Sequence, residues 1–271
     1  MVLDVRSLMH RITRSLVLSG SDFGESDRII TLFSRSLGKV TVIAKGAKRS
    51  QKRFVNTLES PGLIRAVIRR GRGSLPLLEA ADLLDPFPGI RQSWRSFALA
   101  SLWLEVTERL LKPGLKEPEL FDLLALVLSG LNRGLAPERL HLFFLLRTLI
   151  VAGFGPELWG CRRCQKRVEG KQAYFSPEDG GLICLRCYQG GAHSLPWPLL
   201  KYLRDLARAS LWPIEALNID FRLLRHGERL LETMLFRILG ERPVAFKVYK
   251  DLCEEEYITS DGEPGLRRNN V

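Results

Sequence analysis

The stretch Asp85-Pro86-Phe87-Pro88-Gly89 divides this chain into two parts that cannot share one architecture. Two prolines flanking a single residue continue neither a strand interior nor a helix. Before it, β-branched and aliphatic residues come in short runs at 12–18, 28–33, 39–44, 62–69 and 75–80, punctuated by Gly20-Ser21-Asp22, Leu37-Gly38 and Gly71-Arg72-Gly73. After it, apolar residues recur with helical spacing over 94–111, 118–131, 137–152, 198–209 and 221–239, several of these stretches beginning with proline in the first turn. The pattern predicts an α+β protein: a small five-stranded barrel over residues 1–82, a proline-rich linker over 83–89 and an all-helical domain over 90–253. Strand number alone leaves an oligonucleotide-binding barrel and an SH3-like barrel both open, the former being the first expectation. Residues 254–271 read as a mobile tail.

Charge is distributed as unevenly as periodicity. Residues 1–80 hold 15 Lys and Arg against 6 Asp and Glu, so +9 of the chain's net +11 lies in the first third. Lys39, Lys45, Lys48, Arg49, Lys52 and Arg53 cluster around one glycine turn between two strands, not along an amphipathic helix. That is the footprint of polyanion binding rather than of a membrane surface. The same 80 residues contain Phe23, Phe33 and Phe54 but no Tyr or Trp. Phe33 sits in an apolar run and is assigned to the core, which leaves Phe23 and Phe54 as platforms for bases, so binding is expected to rest chiefly on phosphates.

Cys161-Arg-Arg-Cys164 and Cys184-Leu-Arg-Cys187 are two Cys-x-x-Cys knuckles separated by 19 residues, the spacing of a zinc ribbon. Tyr174-Phe175 and Gly180-Gly181 between them suit a hairpin that brings the knuckles together, which places a four-cysteine zinc module at about 155–192 inside the helical domain. Four thiolates complete a tetrahedron and leave no open position for a water, so the ion, Zn2+, is expected to be structural. Arg162, Arg163, Lys166 and Arg167 are either phosphate contacts or solvated charges. His193 reads as a surface residue, and Cys253 has no partner in sequence.

No phosphate loop, His-Glu-x-x-His or Gly-x-Ser-x-Gly elbow is present. Glu25, Asp27 and Arg28 read as a salt-bridged strand start rather than an active site, and the chain is expected to bind without catalysing. The longest apolar run, 140–154, is interrupted by His141 and Arg147, so no membrane span is expected. The first residues lack the pattern of a secretory signal, and a cytoplasmic, nucleoid-associated protein is expected.

Gly24-Glu-Ser-Asp-Arg-Ile-Ile-Thr-Leu-Phe33, Leu37-Gly-Lys39 and Ala44-Lys-Gly-Ala-Lys-Arg49 resemble the opening of the bacterial RecO family of recombination and repair proteins, and the similarity continues through the knuckles to Leu239-Gly-Glu-Arg242. The resemblance implies an oligonucleotide-binding barrel followed by a helical domain. It also implies binding of single- and double-stranded DNA, annealing of complementary strands coated by single-strand-binding protein, and cooperation with RecR in loading RecA. Carried onto this sequence, the DNA-facing candidates are Arg28, Lys39, Lys45, Lys48, Arg49, Lys52 and Arg53. The resemblance further implies capture of the acidic, apolar C-terminal tail of single-strand-binding protein by the helical domain. Arg147, beside Phe143 and Ile150, is the candidate there. The competing class is a zinc-ribbon, RNA-gripping factor of transcription or translation.

Overall fold

The computed structural model describes residues 10–50, 52–71, 73–169, 172–208 and 219–260. Of the expected features, residues 261–271 of the tail, Arg72 of the glycine turn and Ala209 lie outside the described residues, as do the side chains of 254–260.

Five strands, β1 (Arg11–Phe23), β2 (Asp27–Ser34), β3 (Gly38–Ala44), β4 (Leu63–Arg69) and β5 (Leu77–Asp85), close a barrel in the order β1-β2-β3-β5-β4. All pairings are antiparallel except β3 with β5, which meet at Ile43 and Leu77. That order and that parallel closure select the oligonucleotide-binding barrel over the SH3-like alternative. In β3 every second residue is buried, the period expected when one face lines a core. Val17, Ile30, Leu32, Val42, Ile64, Ile68 and Leu78 fill the barrel. Gly20-Ser21-Asp22, expected as a turn, is strand paired to residues 28–30; the chain reverses one step later, at Gly24 with φ 59°. β5 runs on to Asp85, past residue 82.

The helical part comprises α1 (Trp94–Leu110), α2 (Pro118–Asn132), α3 (Pro137–Val151), α4 (Trp197–Arg208), α5 (Phe221–Leu239) and α6 (Val244–Ser260). Ser93 and Asp220 cap α1 and α5 through their side chains, while α2 and α3 begin with proline. The residues 254–260 read as tail are the end of α6. Its N-terminal cap comes from another helix: the Glu105 carboxylate of α1 accepts the amides of Val244 and Ala245 at 2.8 and 2.9 Å. Between α3 and α4 lies a three-stranded sheet, β6 (Gln172–Ser176), β7 (Gly181–Ile183) and β8 (His193–Pro196), in the order β7-β6-β8. β6 and β7 form the expected hairpin, and β8 is an addition to it. His193 is exposed there.

Barrel and helices are fused by one apolar seam. Leu16, Leu18 and Phe33 leave the barrel core and join the helical one, with Phe33 edge-on to Phe121 at 5.5 Å. Gly38, at φ 74°, touches the α1–α2 connection so closely that a Cβ would sit 2.0 Å from the Leu115 carbonyl oxygen. Arg35 clasps Asp122 through two hydrogen bonds of 2.9 and 3.0 Å. The proline-rich joint is part of this seam: Phe87 and Ile90 are buried, and the amide of Gly89 donates to the Asn132 side chain.

Candidate nucleic-acid interface and metal centre

The basic loop follows β3 and is built on Asp27. Its carboxylate accepts the Gly46 amide at 2.8 Å, and the Ser26 carbonyl accepts the Lys48 amide at 3.0 Å, so the Ser26-Asp27 pair fixes the turn that carries the cations. The Gly46 hydrogen bond, helped by Lys45 and Lys48, holds the Asp27 carboxyl below its ordinary range. Ser26 and Asp27 are therefore a scaffold for the loop, and the expected salt bridge at the strand start is replaced by pairs from Arg28 to Glu59 and Asp22. Beyond it the chain returns Phe54 and Leu58 to the barrel core, and the basic residues are spread across the rim between these anchors.

The seven barrel cations fall into groups by what holds them. Lys45, Arg49 and Lys52 are exposed and make no ion pair with any described residue. Lys48 and Arg53 are exposed but tethered, Lys48 to Asp22 at 2.9 Å and to the Gly24 carbonyl, Arg53 to the Lys45 carbonyl at 3.0 Å while stacking over Phe54. Arg28 is drawn in further, against Glu59 at 2.6 Å and Asp22 at 3.7 Å. Lys39 leaves the set. Its ammonium donates to the Glu108 carbonyl of α1 at 2.6 Å, and burial pulls its pKa down against the pull of the Glu108 carboxylate. It belongs to the seam. Phe33 is buried as expected; of the two phenylalanines expected as platforms, Phe54 is buried and Phe23 is exposed.

The four knuckle cysteines converge, every Sγ within 4.8 Å of the others. The Cys164–Cys184 separation of 3.7 Å matches the edge, roughly 3.8 Å, of a tetrahedron with metal–sulfur bonds of about 2.3 Å. In each knuckle backbone hydrogen bonds set the turn: Gln165 N to Cys161 O at 2.8 Å, Cys187 N to Cys184 O at 3.0 Å. Burial opposes ionisation of Cys161, but the amides of Cys184, Cys164 and Arg163 outweigh it and bring that thiol to about 6. Cys187 is pushed up to about 12 by its hydrogen bonds to Cys184 and Cys164. Four sulfurs this close favour a cation that lets all of them ionise. The donor set fits a tetrahedral metal ion. Around it, Arg162 donates to the Asp179 carbonyl, and Arg163 holds both Asp179 and the Cys187 carbonyl. Both brace the module.

Arg147 is tied to the helix beside it. It is half-buried and donates to the Ala207 carbonyl at 3.2 Å, near the end of α4, where cationic side chains satisfy terminal carbonyls. A concave surface lies between α5 and α6, where Arg222, Arg225, Arg229, Phe236, Phe246 and Lys250 line a groove. Its floor is a buried polar chain. The Trp103 indole donates to His141 Nδ1 at 3.1 Å, which leaves the ring proton on Nε2 to donate to Glu232 at 3.1 Å, and Glu232 also holds Lys250 at 2.9 Å. Burial alone would raise the Glu232 carboxyl, yet His141 and Lys250 bring it down to about 2. Glu228, fully buried beside Arg225, is raised by burial. The spacing Arg222-x-x-Arg225-x-x-x-Arg229 on one face of a helix that starts at Phe221 is the sequence signal for this groove, and periodicity alone assigns it to a solvated face.

Comparison with known proteins agrees over both parts of the chain. The recombination protein O N-terminal family model matches residues 9–87 and the recombination protein O C-terminal family model matches residues 91–244. The DNA repair protein RecO of Desulfatibacillum aliphaticivorans is 32% identical over 256 residues, spanning 90% of this chain and 98% of that protein. That of Syntrophus aciditrophicus is 32% identical over 250 residues, 89% of this chain and 95% of its own length. The Geobacter metallireducens protein of the same name is 36% identical over 182 residues, 66% of this chain and 73% of its own length. By both measures this chain, a five-stranded oligonucleotide-binding barrel fused to helices with a four-cysteine metal module, belongs to the RecO family of DNA repair proteins.

Proposed function

We propose that the protein is a recombination mediator that binds single- and double-stranded DNA on the barrel loop, anneals complementary strands coated with single-strand-binding protein and, with RecR, helps to load RecA, without chemical catalysis of its own. The observation that carries this reading is the barrel rim: Lys45, Arg49 and Lys52 open to solvent, Lys48 and Arg53 beside them, and only Phe23 exposed among the rings. Phosphates neutralised one by one, with little stacking, give a grip that leaves base edges free for a complementary strand. Arg28 contributes charge at the margin of that rim, while Lys39 is withdrawn from it.

The metal in this reading is zinc, held by Cys161, Cys164, Cys184 and Cys187 as a brace for the β6–β8 sheet. The tail of single-strand-binding protein, acidic with an apolar end, is assigned to the α5–α6 groove rather than to Arg147. The groove offers guanidinium groups for the carboxylates and Phe236 and Phe246 for the apolar terminus. Among the described residues no helix is long and apolar enough to cross a membrane.

Annealing of complementary oligonucleotides, with and without bound single-strand-binding protein, tests the proposal. Faster annealing of coated strands by the intact protein, lost on replacing Lys48, Arg49, Lys52 and Arg53 with alanine, is the expected result. Annealing that is indifferent to those four residues, or a preference for structured RNA in competition, overturns it.

A further inference from the structure

The barrel has cations without rings, and the opposite combination sits beside the metal module. Along the outer face of α4, Trp197, Lys201, Arg204 and Arg208 recur at intervals of four, three and four residues, one helical stripe. Trp197 is 37% exposed, and Lys201 and Arg208 are exposed as well. The Arg204 guanidinium lies 5.3 Å from the Trp197 ring centre, and that of Arg208 lies 5.4 Å from Trp159, which stands two residues before the first knuckle.

This stripe is built rather than scattered. Arg204 donates to the Leu158 carbonyl at 2.7 Å and to the Val168 carbonyl at 3.3 Å, on either side of the first knuckle, so its plane is fixed against the module. Burial first, then the like charges of Arg167 and Arg208, pulls Arg204 below the usual arginine range, which places three guanidinium groups close enough to repel. The nearby carboxylates do little to relieve them. Glu157 spends one oxygen on the amides of Trp159 and Gly160, and the Arg167–Glu169 pair is open to water on both sides, where such pairs contribute little. Planar cations stacked on indoles, with an excess of positive charge, suit a ligand that alternates flat rings with anions.

We propose that this ledge, Trp197, Lys201, Arg204 and Arg208 with Trp159 and Arg167, is a second nucleic-acid site, one that takes unpaired bases by stacking on Trp197 and their phosphates on the cations around it. The inference rests on the chain being a DNA-binding protein. It adds a base-reading surface for single strands to the charge-driven one on the barrel, so that one strand lies at each.

The test uses the full-length protein, its tryptophan fluorescence and three probes of equal length: oligothymidylate, the abasic version of the same strand, and oligoglutamate. Trp197→Ala is expected to weaken oligothymidylate binding by about five- to thirtyfold while leaving the abasic strand within about twofold. Trp197→Phe keeps a ring and should restore most of the difference. Lys201→Glu with Arg208→Glu, both at the surface, should weaken both strands. Photo-crosslinking of bromodeoxyuridine-substituted strand should map to Trp197. Equal binding of thymidylate and abasic strands, insensitive to Trp197, overturns the proposal, and so does a Trp197-dependent preference for oligoglutamate. The barrel variant lacking Lys48, Arg49, Lys52 and Arg53 separates the two readings: if it keeps full affinity, the barrel proposal fails and the ledge stands. If it loses nearly all affinity while Trp197→Ala is silent, the ledge fails alone.

Discussion

The barrel rim and the α5–α6 groove are both rich in cations, yet they are made in different ways. On the rim the charges ride on loop residues anchored by one aspartate, with water on every side and a single exposed ring. In the groove they stand on two helices above a buried chain from Trp103 to Lys250, beside Phe236 and Phe246. The rim can change its charge without touching the core, whereas the groove is continuous with the core. Function on the rim should therefore respond to salt, and function in the groove to anything that disturbs folding.

The sharpest way to break this contrast is through the metal. If the four cysteines hold zinc as a brace, whose binding is worth roughly 10–16 kcal/mol in small zinc modules, then chelation or Cys161→Ser should unfold the β6–β8 sheet and lower the melting temperature of the helical part. The salt-dependent binding carried by the rim should survive, while the base-dependent part and the smaller phosphate share of the ledge should fall. Elemental analysis should find one zinc per chain. A purified protein without bound metal, or loss of the salt-dependent binding on chelation, would remove the division between rim and helices.

The groove floor comes next. Replacing Glu232 with alanine leaves Lys250 and His141 without their acceptor, and breaking a buried pair of this kind costs about 3–5 kcal/mol. Acid does the same work gradually. The folded Glu232 carboxyl, at about 2, lies below its ordinary 4.5, so its contribution of about 3 kcal/mol is complete above pH 4.5 and is lost as pH falls toward 2. Glu228 is shifted the other way; it disfavours the fold once ionised and gains from protonation, which blunts the acid loss. Urea titrations between pH 6 and pH 3 should show stability falling in the wild type and falling less in Glu232→Ala. Equal slopes would mean that the chain from Trp103 to Lys250 contributes nothing.

How much of this contrast is written in the sequence depends on the range of the forces involved. The barrel, the joint, five helices and the knuckles follow from local period, proline and cysteine spacing. α6 escapes local reading because its cap, Glu105, is about 140 positions away in sequence and its buried Tyr249 ring packs against His141. Lys39 reads as part of the DNA surface because it opens the strand that leads to the cations of residues 45–53; only the fold brings the Glu108 carbonyl under it. Arg147 likewise has its partner, Ala207, 60 residues on. The cations of residues 45–53 stay together because a single turn carries them, and that turn is fixed by Ser26 and Asp27, which lie in the motif that carries the family resemblance.

On the rim the expected effects are smaller per residue and additive. With Lys45, Lys48, Arg49, Lys52 and Arg53 each meeting a phosphate, the rim's share of the slope of log K against log salt should be roughly −3.5 to −4.5. Alanine at Lys48, Arg49, Lys52 and Arg53 should flatten that slope by about three and weaken single strand and duplex alike. A slope that stays steep in this variant would move the main DNA surface off the barrel.

The smallest effect is expected at the residue where the two regions touch. Lys39→Met keeps an apolar stem of similar length under α1 but removes the hydrogen bond to the Glu108 carbonyl, worth about 1–3 kcal/mol when the donor is charged, while sparing the cost of holding an ammonium away from water. These two terms oppose each other, so a change in stability of about 1 kcal/mol or less is expected. DNA affinity and the salt slope should stay within experimental error, because the ammonium points into the seam and has no phosphate to lose. A drop in slope of about one charge in Lys39→Met would show that the lysine swings out of the seam to meet DNA. In that case the barrel and the helices would separate at this point when a strand binds, and the two regions would be coupled after all.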